Sequence, residues 1–80
     1  MRMDKFLKVS RLIKRRTVAN EACDAGRVSV GGKPVRASYE VKVGDEITLA
    51  LGARTLKVRV TDVSEHATKD TAATLYTVID

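Results

Sequence analysis

The hydrophobic period changes once along this chain, at Gly26-Arg27, and that single change limits what it can fold into. Before it, apolar residues recur every three to four positions; after it, they alternate. Over residues 3–16, Met3, Phe6, Leu7, Ser10 and Ile13 fall on one face of a helix, with Lys5, Lys8, Arg11 and Arg15 opposite. Leu12 would land among the basic side chains if the helix ran straight, so a break and a change of direction are predicted between Ser10 and Lys14. A second helix follows. Thr17 is expected to cap it, Glu21 lies near the positive end of its dipole, and Gly26 closes it in a left-handed conformation. Val18, Ala19, Ala22 and Cys23 are predicted to share its buried side, small enough for the two helices to approach closely, with Asn20, Glu21 and Asp24 on the other.

From Arg27 the pattern is that of strands. "RVSV" and "KPVR" flank Gly31-Gly32, a two-residue turn that needs positive φ, which predicts a hairpin with Val28, Val30 and Val35 facing inward. Pro34 lacks an N–H to give and confines its strand to an edge. "VKVGDEITLAL" places Val41, Val43, Ile47, Leu49 and Leu51 inward around a turn at Gly44-Asp45; "RTLKVRVTDV" does the same with Leu56, Val58 and Val60; "TLYTVI" supplies a last strand after a polar surface loop, Ser64 to Thr71. The expected fold class is α+β, two N-terminal helices packed on a small twisted antiparallel sheet of four or five strands, in one domain spanning residues 1–80. A chain of this length buries only about 60% of the surface it exposes unfolded, so its core is small.

Charge is distributed unevenly over this frame. Residues 1–36 carry a net charge of +7 and residues 37–80 a net charge of −2. A merely solvated face normally mixes signs, yet residues 2–16 hold seven Lys or Arg and one acid, Asp4. Lys and Arg at i, i+3 and i+4 on a helix let several cations reach one polyanion together, so the N-terminal half reads as a phosphate-binding surface. With only Phe6, Tyr39 and Tyr76 as aromatics, there is no platform for stacking single-stranded bases, which favours structured RNA gripped through its backbone. A helix-turn-helix docked on DNA fits less well, because the outer face of the second helix carries Asn20, Glu21 and Asp24.

Other candidates have plainer readings. Lys57 and Arg59 point outward from a strand and read as ordinary solvated residues ahead of an extension of the basic patch. His66 stands in a polar loop with no second His or Cys near it, which argues against a metal ligand or a catalytic base. Cys23 is the single cysteine; its place on an apolar helix face reads as an inert buried thiol, and one cysteine makes neither an internal disulfide nor a zinc site. Asp45 after Gly44 fits turn geometry. No paired carboxylates, triad or phosphate loop can be assembled, so no enzyme, cofactor or metal is expected. With no apolar run of secretory or membrane-spanning length, a cytoplasmic chain with no membrane partner is expected.

Arg2 to Ile47 resembles the RNA-binding domain named after ribosomal small-subunit protein four, the S4 domain. The resemblance rests on Arg2-x-Asp4-Lys5-x-Leu7, Arg16-Thr17-x-Ala19, Gly26-Arg27-Val28-x-Val30 and Val43-Gly44-Asp45, in that order, with residues 48–80 as additional strands. Family members usually carry Asn where this hairpin has Gly31, and often Ser where it has Arg15. The full length is most similar to the RqcP family of bacterial ribosome quality-control factors, relatives of the fifteen-kilodalton heat-shock protein without its long basic C-terminal extension. That resemblance implies binding to free large ribosomal subunits that still hold peptidyl-tRNA, contacting large-subunit rRNA and the tRNA and supporting template-free alanine tailing with an RqcH-type tailing factor; a monomer is expected. Carried onto this chain, the RNA-contacting residues are Arg2, Lys5, Lys8, Arg11, Arg15, Arg16 and Arg27, with Lys14 and Lys33 at the margin. Two alternatives stay open: a general stress-related RNA chaperone for structured rRNA, and a protein-binding adaptor using the acidic second half.

Overall fold

The computed structural model describes residues 1–63 and 72–79. Helix α1 covers Met3–Val9 and α2 covers Arg16–Asp24. Strands β1 (Val28–Val30), β2 (Lys33–Pro34), β3 (Glu46–Leu51), β4 (Arg54–Val60) and β5 (Tyr76–Val78) follow, with a 3-10 turn at Ala72–Leu75 before the last. The strands form one antiparallel sheet in the order β2-β1-β3-β4-β5, the architecture the period change predicts. The predicted loop from Ser64 to Thr71, with His66, lies outside the described residues.

The break after α1 is where the sequence places it. Ser10 ends the helix, fully buried with its hydroxyl donating to the Leu7 carbonyl at 3.3 Å, and Arg11 then takes φ +63°. That turn lets Ile13 fold back, its N–H donating to the Leu7 carbonyl at 3.0 Å and its side chain buried, while Leu12 packs half-buried against the core. Helix α2 ends in a Schellman arrangement: Gly26, at φ +74°, donates to the Cys23 carbonyl, and Arg27 donates to Ala22.

Its start differs from the expectation. The Ala19 N–H already bonds the Arg15 carbonyl, so Arg15 is the N-cap, Arg16 opens the helix, and Thr17 sits inside the first turn with no capping role. One residue of register also turns Val18 outward, 46% exposed, where the sequence placed it inside; Ala19 and Cys23 are buried and Ala22 is half-buried as expected. Ala19 is fully buried in the sheath between the helices. Replacing Ala19 by Leu is expected to overpack that contact by about 1–3 kcal/mol, read as a lower unfolding midpoint in urea.

On the sheet, register brings Val28 opposite Leu49, Val30 opposite Ile47 and Ile47 opposite Val58, so one face is apolar and covered by the helices. The type I′ hairpin at Gly31-Gly32 has φ of +58° and +85°, and β2 with Pro34 is an edge strand. Alternation misplaced two residues. Val43 is 62% exposed because Lys42 to Asp45 is a type II turn, closed by the Asp45 N–H to the Lys42 carbonyl, with Gly44 at φ +96°. Leu51 is 40% exposed because it ends β3 at the hairpin turn. On the opposite face, Arg59 and Lys57 lie near Glu46 at 3.5 and 3.9 Å, an ordinary polar strand surface. Among the described residues no helix is long and apolar enough to cross a membrane.

Candidate nucleic-acid interface

The polar centre of the N-terminal half is the one acid in its basic run. Asp4 is the second residue of α1, whose first turn is anchored on residues 37–41: the Met3 N–H donates to the Tyr39 carbonyl, the Asp4 N–H to the Ala37 carbonyl, and the Val41 N–H to the Met1 carbonyl. These bonds hold the backbone on both sides of Arg2, which pairs with Glu40 in an isolated antiparallel bridge. The Asp4 side chain is 4% exposed, and its two oxygens are fully engaged. Oδ1 accepts from the Lys5 N–H at 2.8 Å and from Arg2 Nε at 3.3 Å; Oδ2 meets Arg16 Nε at 3.3 Å and accepts from Asn20 Nδ2 at 3.4 Å. Burial pushes this carboxyl up, but the hydrogen bonds from Arg16, Asn20 and the Lys5 N–H outweigh it and hold it below the ordinary carboxylate value. The acid is therefore ionised at neutral pH.

The two arginines are held at one edge and open at the other. Their side chains keep 52% (Arg2) and 47% (Arg16) exposure, so each guanidinium is oriented by Asp4 while part of it faces solvent. An arginine presents five donors in a rigid fork suited to phosphate, and fixing one end in advance reduces the rotamer entropy lost on binding. Asn20, which the sequence set on the outer face of α2, turns to Asp4 instead.

A second group lies at the other end of α1. Lys8, Arg11 and Lys14 line an open groove of about 400 Å³ together with Val9. The loop from Ser10 to Arg15 carries Arg11, Lys14 and exposed Arg15 from this groove to Arg16 beside Asp4. Lys5 lies between the groups on α1, half-buried. Arg27 does not join them: it follows the C-terminus of α2, roughly 15 Å from Arg16 by helix rise and the intervening turn. Lys33 lies on the edge strand β2. Arg36, absent from the sequence-derived set, is exposed and precedes Ala37, whose carbonyl accepts the Asp4 N–H at 3.2 Å. Its distance in sequence from the helices concealed it.

Two further reactive groups among the described residues, Cys23 and Asp45, are occupied by structure. Cys23 is buried; burial first, and then the charges of Asp4 and Asp24, push its thiol up to about 11, so it stays protonated at neutral pH. Asp45 accepts from the Lys42 N–H and the Tyr39 hydroxyl, both at 3.0 Å, and ties the type II turn to the segment that anchors α1.

The S4 domain model matches residues 1–47, the segment that carries the Asp4 cluster, the groove and the first hairpin. Over 79 residues the chain is 49% identical to the RQC P-site tRNA stabilizing factor of Bacillus subtilis, covering 99% of this chain and 92% of that one. The chain is an S4-domain protein of the RQC P-site tRNA stabilizing factor family. A second member, from Halalkalibacterium halodurans, is 51% identical over 78 residues, covering 98% of this chain and 89% of its own. Among solved structures, a trimeric structure of Vibrio cholerae heat shock protein 15 superposes with a TM-score of 0.92 at 28% identity, covering 99% of this chain and 81% of that one. The match extends beyond the S4 segment through β5, so the added strands belong to the shared fold.

Proposed function

We propose that this chain is a non-catalytic RNA-binding factor of the cytoplasm that holds tRNA and large-subunit rRNA together on stalled, split large ribosomal subunits. In this reading it acts as a monomer and supports template-free alanine tailing beside an RqcH-type tailing factor. The observation that carries the proposal is the pair of half-exposed arginines, Arg2 and Arg16, ordered on one buried carboxylate. Phosphate recognition needs such cations, pre-oriented and in excess over acids, and the names of the family members, P-site tRNA stabilizing factors, supply the RNA. Arg2, Lys5, Lys8, Arg11, Arg15 and Arg16 form the proposed contact surface, with Arg36 added and Arg27 set apart as a contact to a second RNA element.

The test is a pelleting assay with bare large subunits, large subunits loaded with peptidyl-tRNA, and whole ribosomes. The protein is expected to co-sediment with the tRNA-loaded subunits, Arg16→Ala to lose most of that binding, and Arg54→Ala, in the β3–β4 hairpin, to keep it. Each phosphate contact removed should lower the log–log salt dependence by about 0.7–0.9. Likeness to heat shock protein 15 favours a second reading, a stress-related chaperone for structured rRNA. Equal binding to bare and tRNA-loaded subunits would select it.

A further inference from the structure

Helix α1 is seven residues long, and its N-cap, Arg2, offers no side chain to the free N–H groups of the first turn. Two carbonyls from a distant segment take that place: Tyr39 accepts the Met3 N–H at 2.8 Å and Ala37 accepts the Asp4 N–H at 3.2 Å. Residues 36–41 thus form a strap across the start of the helix, and Arg2, bridged to Glu40, lies against it. Apolar burial holds the strap at Ala37 and Val41, but Ser38 and Glu40 between them are exposed. Its middle is held by a side chain: half-buried Tyr39 donates its hydroxyl to Asp45 Oδ2 at 3.0 Å. Burial first, then the hydrogen bond and charge of Asp45, hold this phenol above its ordinary value, so it keeps the proton it donates.

Asp45 is itself fixed to the sheet. Its carbonyl accepts the Val60 N–H, and the Val60 carbonyl accepts the Gly44 N–H, both at 2.8 Å. A continuous set of hydrogen bonds therefore runs from β4 through Asp45 and Tyr39 to the first turn of α1. The turn does not need the tyrosine, because the Lys42 N–H on Asp45 Oδ2 and the Asp45 N–H on the Lys42 carbonyl already close it. We propose that Tyr39 and Asp45 are positioning residues for RNA binding: their hydrogen bond fixes the strap, the strap fixes the start of α1, and Arg2 thereby meets Asp4 with its open edge toward phosphate. Neither residue touches RNA. Arg2 is sensitive to such support because its Nε meets Asp4 Oδ1 at 3.3 Å, at the outer limit of a hydrogen bond, where a shift of a few tenths of an ångström breaks the contact. The inference rests on the reading of the chain as an RNA-binding factor and adds what orients Arg2 from outside the basic run.

The test is anisotropy titration of fluorescently labelled tRNA, at a temperature where circular dichroism shows every variant folded. Tyr39→Phe keeps the ring and loses only the hydroxyl; it is expected to weaken binding by roughly 2- to 12-fold, the cost of ordering one long side chain again. Its log–log KCl slope should stay at the wild-type value, because Arg2 still reaches phosphate, whereas Arg2→Ala should flatten the slope by about 0.7–0.9. In an Arg2→Ala background, Tyr39→Phe should cost nothing further. Asp45→Ala and Asp45→Asn remove the same charge, but only asparagine keeps an acceptor for the hydroxyl, so the asparagine variant should bind more tightly. Without RNA, hydrogen exchange at the Met3 amide should quicken in Tyr39→Phe. Wild-type affinity or unchanged Met3 exchange in Tyr39→Phe, beside a binding loss in Arg2→Ala, would overturn the positioning role and leave the RNA-binding reading intact. Equal affinities of the two Asp45 variants, or an undiminished Tyr39→Phe loss in the Arg2→Ala background, would do the same. Absence of tRNA binding by the wild-type protein would overturn both readings.

Discussion

Replacing Asp4 by Asn is expected to weaken RNA binding, although it removes a negative charge from the surface proposed to meet a polyanion. Long-range electrostatics alone predicts the opposite sign. At about 7 Å through solvent, deleting one like charge relieves a repulsion of roughly 0.6 kcal/mol, less in salt. Against this stands the loss of order in two side chains. Arg2 and Arg16 both meet Asp4 at 3.3 Å, and releasing each restores rotamer freedom that binding must remove again, about 0.5–1.5 kcal/mol per side chain. The second effect wins by about 1–2 kcal/mol, or roughly 5- to 30-fold in Kd. Tighter binding by Asp4→Asn would show that the arginines are not ordered by the acid in any way RNA uses.

The same substitution has a signature in acid. The Asp4 carboxyl titrates below its ordinary value in the folded protein, so protons bind the unfolded chain more readily. Its stabilisation is complete above the unfolded value, near pH 4, and is lost as pH falls through the folded one. The wild type should exceed Asp4→Asn in stability by about 1–2 kcal/mol at neutral pH, a modest figure because both arginines are half exposed. That difference should shrink below about pH 4, as the Asp4 carboxylate takes up its proton and loses its hold on the two arginines.

Asp4 also shows what could and could not be read from the sequence. The helix–helix–sheet order, the break after Ser10, the Gly26 terminus and the Gly31-Gly32 hairpin were legible because each is set by residues adjacent in the chain. Local periodicity carries that information. The basic character of the N-terminal half was legible too, but its organisation was not. Asp4 meets Asn20 across sixteen positions of sequence, and the segment after Arg36 is held to the start of α1 by backbone bonds of Ala37, Tyr39 and Val41. Such contacts follow from tertiary register, which no single segment specifies. The clue that existed was compositional: one acid in a cationic run is either a repulsion or an organiser, and its burial decides between them.

The errors at Thr17, Val18, Val43 and Leu51 share a cause. Each residue fits its local pattern, but the pattern ends a residue or more from where the sequence suggests. Helix α2 starts at Arg16 and not after Thr17, and a type II turn interrupts the alternation at Val43. Termini are where propensity is weakest and tertiary contact strongest; here Arg16, the first residue of α2, is also a partner of Asp4. The contact with Asp4 and the misread boundary coincide.

The largest effect on stability is expected from Phe6→Ala, with Val43→Ala as its contrast. Sequence pattern gives both residues an inward position, yet Phe6 is fully buried in the core cluster and Val43 is 62% exposed. Removing the ring leaves a cavity among the helices and sheet that costs about 3–5 kcal/mol, against a total of roughly 4–12 kcal/mol for a chain of eighty residues. Trimming Val43 in its turn should cost no more than about 0.5 kcal/mol. Urea unfolding followed by circular dichroism should then give a sharply lowered midpoint for Phe6→Ala and a near-normal one for Val43→Ala. RNA binding should follow the folded fraction, because Phe6 holds α1 against the sheet and α1 carries Asp4, Lys5 and Lys8. Binding by Phe6→Ala that falls while the protein remains folded would mean that the ring touches RNA directly, and its burial excludes that contact unless α1 moves. Similar midpoints for the two variants would place Phe6 outside the core.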